Sequence, residues 1–283
     1  MKERDDTDTR YAILSHRWGA EVNYEEIIRL MKMEEEERKE VKQRDGYQKI
    51  VKSCEQAAKD GYKWLWIDTC CIDKRSSAEL SEAIISMHRW YQNAQICYAY
   101  LNDVSESAFP TKRDDDKFSQ SNGWPEWFTR GWTLQELIAP NKVKFFNKGW
   151  VPIGNKQHLA PTLQVITGIP CEVLTSGMDG KSLTVAEIMS WAANRKTTRV
   201  EDQAYSLMGL FGVCMPVLYG EGENATQRLL LEIIRRPSDQ KALSKWEPQV
   251  LWSVESQRIP LRHGRKRGLF WRRIYGLFVR RTP

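Results

Sequence analysis

The sequence predicts an α/β fold: a mostly parallel sheet flanked by helices, with an added C-terminal helical part. Three observations predict it. Short apolar runs alternate with helix-length periodic segments in the order strand, helix, strand, helix, strand, which calls for crossover helices on a parallel sheet. The runs themselves, YAIL (11–14), WLWID (64–68) and ICYAYL (96–101), have strand length and are rich in large apolar side chains. Two capping boxes of the form S/T-x-x-E, at Ser76–Glu79 and Thr184–Glu187, mark helix starts.

Taken in order, YAIL reads as a buried strand that ends in the loop SHRWG. A charged helical stretch follows over about residues 24–44. Its apolar residues, Ile27, Ile28, Leu30 and Met31, lie near its start, so its second half should project into solvent. A helix over 47–59 stops at Asp60-Gly61. WLWID, apolar until its last residue, reads as a central parallel strand buried on both faces. Ser76 then opens a helix with Leu80, Ala83, Ile84, Met87, Trp90 and Tyr91 at i, i+3, i+4 spacing. After ICYAYL, residues 105–123 form a polar loop. The segment WPEWFTRGWTLQELIAP reads as helical between Pro125 and Pro140, and VKFF (143–146) as a fourth strand. Residues 147–183 read as loops with a short helix. Helices then run from Thr184 through Trp191 and from Glu201 to Leu210, and PVLYGEGENATQRLLLEII ends the compact part. The domain layout expected is a disordered N-terminus at 1–10, one domain at 11–240 and a basic tail at 241–283.

Charge is distributed unevenly. The net charge is +6, yet residues 258–283 hold nine Lys or Arg and no acid, so the remainder is about three charges negative. The body therefore does not have the charge of a nucleic-acid binder, and no specific nucleic acid is expected. The tail interleaves basic and aromatic residues, as a nuclear-import signal or a membrane-surface segment would. No stretch is long and apolar enough to span a bilayer, and the start MKERDDTDTR is no signal peptide. The six cysteines lack metal-ligand spacing and read as reduced thiols. A cytoplasmic location follows, or a nuclear one through the tail, with no metal and no bound cofactor.

Ligands of open α/β sheets bind at the carboxyl ends of the strands. The first strand ends at Ser15, His16, Arg17 and Trp18, the second at Asp68, with Asp73 just beyond. These residues converge on one rim as candidate ligand-binding groups. Asp68 and Asp73 can equally serve as loop and cap residues. Glu136 is the candidate catalytic carboxylate: in a helix it shares a face with Trp132 at i, i+4, and an adjoining ring can desolvate it. Thr133–Glu136 is also T-x-x-E, so Glu136 alternatively completes a capping box. Cys70-Cys71 lies near the same rim, where His16 could act as a base, although adjacent cysteines after a strand are usually core residues. Arg195 and Arg199 precede Glu201 and Asp202 closely and predict an Arg–carboxylate network of structural kind.

Four segments in sequence order, YAILSHRWG, WLWIDTCCIDKRSSAELSEAIISMHRWYQNAQICYAYLNDV, RGWTLQELIAP and WAANRKTTRVEDQAYSLMGLFGVCMPVLYGEG, resemble the heterokaryon-incompatibility (HET) domain of filamentous fungi. The resemblance covers about residues 11–240. It implies a role in non-self recognition after hyphal fusion, with regulated cell death as the outcome. It also implies other incompatibility proteins, or copies of itself, as partners. Larger members add NACHT, WD-repeat or ankyrin modules, so this chain looks like a stand-alone or truncated member. The HET domain is in turn distantly similar to TIR domains, which implies a flavodoxin-like sheet. TIR domains open on F-L-S-F-R-G, against Ile13–Gly19 here. They carry W-C-L-x-E-L, whose Glu is catalytic in NAD-cleaving members, against Trp132–Leu137 here with Thr133 in place of Cys. That similarity implies NAD as a substrate, with Glu136 stabilising an oxocarbenium-like centre, Arg17 meeting the pyrophosphate and Trp18 or Trp132 stacking on a ring.

Overall fold

In the computed structural model, residues 8–235 are described; the basic tail and residues 1–7 lie outside them. Five strands form one sheet in the order β2-β1-β3-β4-β5. They are β1 (Ala12–His16), β2 (Leu65–Trp66), β3 (Ile96–Tyr100), β4 (Val143–Phe146) and β5 (Pro152–Asn155). The first four are parallel and β5 is antiparallel to β4. The mixed α/β class and the mostly parallel sheet agree with the sequence reading.

Helices α1 (Tyr24–Leu30), α2 (Glu35–Gln43) and α3 (Asp45–Lys59) join β1 to β2. The charged stretch over 24–44 is thus two helices and not one. Asn23 starts α1 with a full capping box, and the chain leaves the helix after Leu30. The next apolar residue, Met31, is 62% exposed, so it does not anchor a continuous helix to the core. Arg44 then reaches back to Glu26 and to the Glu21 carbonyl.

WLWID is not a central strand. Only Leu65 and Trp66 pair, with β1 alone, at the sheet edge. The apolar run has another cause: Trp66 packs on Trp90 and Tyr91 of α4 (Ser77–Asn93), while Leu65 belongs to the opposite cluster with Ala12 and Leu14. Side chains alternate across a strand, so an edge strand covered by helices on both faces reads as continuously apolar. Ser76 caps α4 through the Glu79 N–H at 3.3 Å, but Glu79 gives its carboxylate to the Asp73 N–H at 2.7 Å, so the box is half made.

Between β3 and β4 the expected helix divides. A 3₁₀ turn (Glu126–Thr129) is followed by a bridge between Arg130 and Lys196 and then by α5 (Thr133–Ile138). Gly131 permits this close approach, since a Cβ there would sit 2.4 Å from Thr197 Cγ2. The remaining elements are α6 (Ala160–Thr167), α7 (Cys171–Ser176), α8 (Val185–Ala192), α9 (Asp202–Tyr205) and α10 (Asn224–Ile234). α8 begins with the capping box read at Thr184–Glu187. The helix expected over 201–210 stops at Tyr205, and turns carry Gly209 against His88, where a Cβ would meet His88 Cβ at 2.1 Å. His88 is therefore a packed residue of α4. The edge strand β5 lay in the stretch read as loops.

Two apolar clusters flank the sheet. Tyr11 and Ile13 face the larger one, with Trp127, Leu134, Phe145 and Tyr205; Ala12 and Leu14 face the smaller, with Ala57, Tyr98 and Phe146.

Candidate functional site

The chain turns from β1 to β2 on one side and later to β3 on the other, so the topological switch point lies between β1 and β3. A crevice at the carboxyl ends of the strands is the general ligand site of such sheets. The alternation in β1 sends Ser15 to the larger cluster and His16 to the smaller one. The rim therefore has an inner and an outer part.

The inner part is centred on Glu136. Ser15 Oγ donates to Glu136 Oε2, and Trp127 Nε1 donates to Ser15 Oγ at 2.8 Å. Tyr91 lies beside this carboxyl, and its hydroxyl donates to the Leu14 carbonyl at 3.0 Å. Glu136 is only 6% exposed. Burial pushes its carboxyl up to about 8; the Ser15 hydrogen bond opposes this, Asp68 adds to it and Arg130 opposes it. The capping reading of Glu136 fails here. Trp132 is the N-cap residue, with no side-chain cap, and the Thr133 hydroxyl donates to the carbonyls of Trp127 at 2.6 Å and Arg130 at 2.9 Å. Glu136 sits in the first turn of α5 but turns to β1, because a buried carboxyl goes where donors are.

The outer part joins His16, Trp18 and Asp68. Trp18 Nε1 donates to Asp68 Oδ2 at 2.7 Å, and Lys74 Nζ lies 3.8 Å from the centre of the Trp18 ring. His16 Nε2 stands 3.6 Å from Glu21 Oε2 and 3.8 Å from Asp68 Oδ1. Glu21 also pairs with Lys49 of α3. Burial raises the Glu21 carboxyl, and His16 and Lys49 together bring it down to about 2. Trp18 is 44% exposed and presents the open side of this group. Arg17 pairs with Glu126 at 2.7 Å.

Other candidates lie elsewhere. Asp73 binds Arg75 at 2.7 Å on an exposed loop, and that guanidinium lowers its carboxyl to about 2. Trp132 does not form a pocket with Glu136: it lies beside the Asp202 carboxylate, which accepts from the Tyr219 hydroxyl at 2.8 Å. The Arg–carboxylate network does not form as expected. Arg195 donates to the Arg130 carbonyl and the Thr133 hydroxyl, each at 2.9 Å, and to the Trp191 carbonyl at 3.1 Å. Arg199 stacks on the Tyr219 ring, 4.0 Å from its centre. Glu201 accepts the N–H groups of Gly220 at 2.8 Å and Gly222 at 3.1 Å. The loop at 216–222 supplies the amides that answer Glu201, while Arg195 finds its carbonyls before α5 and in α8. His16 turns to acids and not to the thiols; Cys71 accepts the Ile67 N–H at 3.4 Å, and its interaction with Cys70, together with burial, raises the Cys70 thiol.

Sequence reasoning missed Trp127, Tyr91, Glu21 and Lys49 as members of the site. Tyr91 lies on the apolar stripe of its helix and was indistinguishable from core. Among the described residues no group of His, Cys, Asp and Glu is arranged to hold a metal ion, and no helix is long and apolar enough to cross a membrane.

Comparison with known proteins places this geometry in a family. No solved structure matches the chain. The vegetative incompatibility protein HET-E-1 of Podospora anserina is 47% identical over 227 residues, covering 77% of this chain. The aligned region is 16% of that protein's own length, so the chain spans under a fifth of the relative it matches. Residues 11–124, from β1 through β3 to the loop before Trp127, match the model of the heterokaryon incompatibility protein (HET) family, and with the 47% identity to HET-E-1 over 77% of its length the chain belongs to that family.

Proposed function

We propose that the chain is a signalling and self-association module of non-self recognition, whose engagement triggers regulated cell death. Vegetative incompatibility, for which the similar Podospora anserina protein is named, supports the biological setting. The single observation that favours a signalling role over catalysis is the enclosure of Glu136. Its carboxyl accepts from Ser15 inside the protein, and burial favours its neutral form. A carboxylate that stabilises an oxocarbenium-like centre needs to be ionised and in contact with the sugar. Partners on this reading are other incompatibility proteins or further copies of the chain.

A second reading is a TIR-type NAD glycohydrolase with Glu136 as its carboxylate. The observation favouring it is position: Glu136 lies at the β1/β3 switch point, beneath a rim that presents Arg17 and the exposed Trp18. One experiment separates the two. Wild type and Glu136→Gln are expressed in cells, and both NAD content and cell death are followed. The signalling reading expects death with NAD unchanged. Loss of NAD with wild type, abolished in Glu136→Gln, would replace it with the enzymatic one.

A further inference from the structure

The bridge between Arg130 and Lys196 sets two cations side by side. Backbone bonds tie the two segments around it: the Lys196 N–H donates to the Thr129 carbonyl at 2.6 Å, and the Gly131 N–H to the Lys196 carbonyl at 2.8 Å. The bridge is parallel, so its partners leave the same face about 4.8 Å apart. Like charges so placed repel. A third cation, Arg195, is held behind them by the Arg130 carbonyl and the Thr133 hydroxyl. Among the described residues, none of these three side chains forms an ion pair with a carboxylate. Glu136 acts on both guanidiniums from the core, but burial favours its neutral form. Arg17, the cation that the sequence offers to an anion, is already taken by Glu126.

We propose that Arg130 and Lys196 form an anion site for the phosphate group of a small molecule, with the charge of Arg195 behind it.

Lys196 is exposed and Arg130 half-buried, so both are open to a ligand. Arg130 offers a planar fork to two oxygens, and Lys196 offers a point charge to a third. A carboxylate has one charge and two oxygens, which Arg130 alone would satisfy. A phosphate or diphosphate has the further charge and oxygens that engage Lys196 as well. The bound anion replaces the repulsion across the bridge with two attractions. It also offsets the cost of burying Arg195, whose charge burial disfavours, down to about 9. The site needs no chemistry at Glu136 and stands under either reading of that residue.

Calorimetric titration and thermal unfolding of the full chain test this, with pyrophosphate as the probe and acetate as the control. Pyrophosphate should bind the wild type at low salt and raise its melting temperature, because a ligand of the native state stabilises it. In Lys196→Gln, an exposed change compatible with folding, the affinity should fall about tenfold through loss of one charged contact. Added salt should weaken binding more in the wild type than in the variant. Without the probe, Lys196→Gln should melt no lower than the wild type, since the change removes a repulsion. Equal pyrophosphate affinity in the two chains would put the anion elsewhere, such as on the basic residues of 258–283, and would overturn the site. Acetate bound as tightly as pyrophosphate would overturn the phosphate assignment.

Discussion

At the scale of single residues, the site is organised by donors that have few choices. Ser15 both accepts from Trp127 and donates to Glu136, and all three side chains are buried. Ser15→Ala leaves the Trp127 N–H without its acceptor and the carboxyl without a donor. Unsatisfied buried groups cost about 1–3 kcal/mol, so this variant should lose about 2 kcal/mol in denaturant unfolding while keeping the same fold by circular dichroism. Asp73, equally prominent in the sequence, pairs at the surface with the exposed Arg75. Its replacement should be nearly neutral, because exposed pairs contribute little. Ser15, Asp68 and Glu136 were legible as candidates because strand ends and an aromatic–carboxylate spacing can be read from a sequence. The direction of each side chain was not. T-x-x-E describes a cap as well as it describes α5, and the choice was made by Ser15, 121 positions away.

At the scale of elements, local rules worked where local energy dominates. Thr184–Glu187 forms the box its spacing predicts, and β4 lies where VKFF does. They failed where a partner decides. WLWID shrinks to two paired residues at an edge, the stretch over 24–44 breaks in two, and the helix from Glu201 ends at Tyr205. The last of these ends so that Gly209 can lie on His88 of α4. Gly209→Ala would place a methyl carbon 2.1 Å from His88 Cβ, a backbone-proximal atom with no rotamer to yield. Overpacking of this kind costs about 1–3 kcal/mol, and the melting temperature should drop accordingly. A melting temperature equal to wild type would show that α4 and the turns after α9 can separate freely.

At the scale of the whole molecule, the family match ends at residue 124 while the cooperative unit does not. Trp127, Glu136, β4 and the Arg195 bonds to Arg130 and Thr133 all lie beyond it, and β3 pairs with β4 along four residues. A fragment of residues 8–124 should therefore remain largely unfolded, with little amide protection in hydrogen exchange, whereas residues 8–235 should protect the central strands. Strand protection in the shorter fragment would show that β4 and α5 are dispensable. Neighbouring residues alone specify the α/β class, the parallel strands, about half of the helix starts and the family, because periodicity, caps and apolar runs are local properties. Tertiary structure alone decided that β2 is an edge, that Arg195 answers carbonyls and that Glu136 faces Ser15 in a dry core. These depend on which distant group fills each remaining donor or acceptor once water is excluded, and no local pattern encodes that.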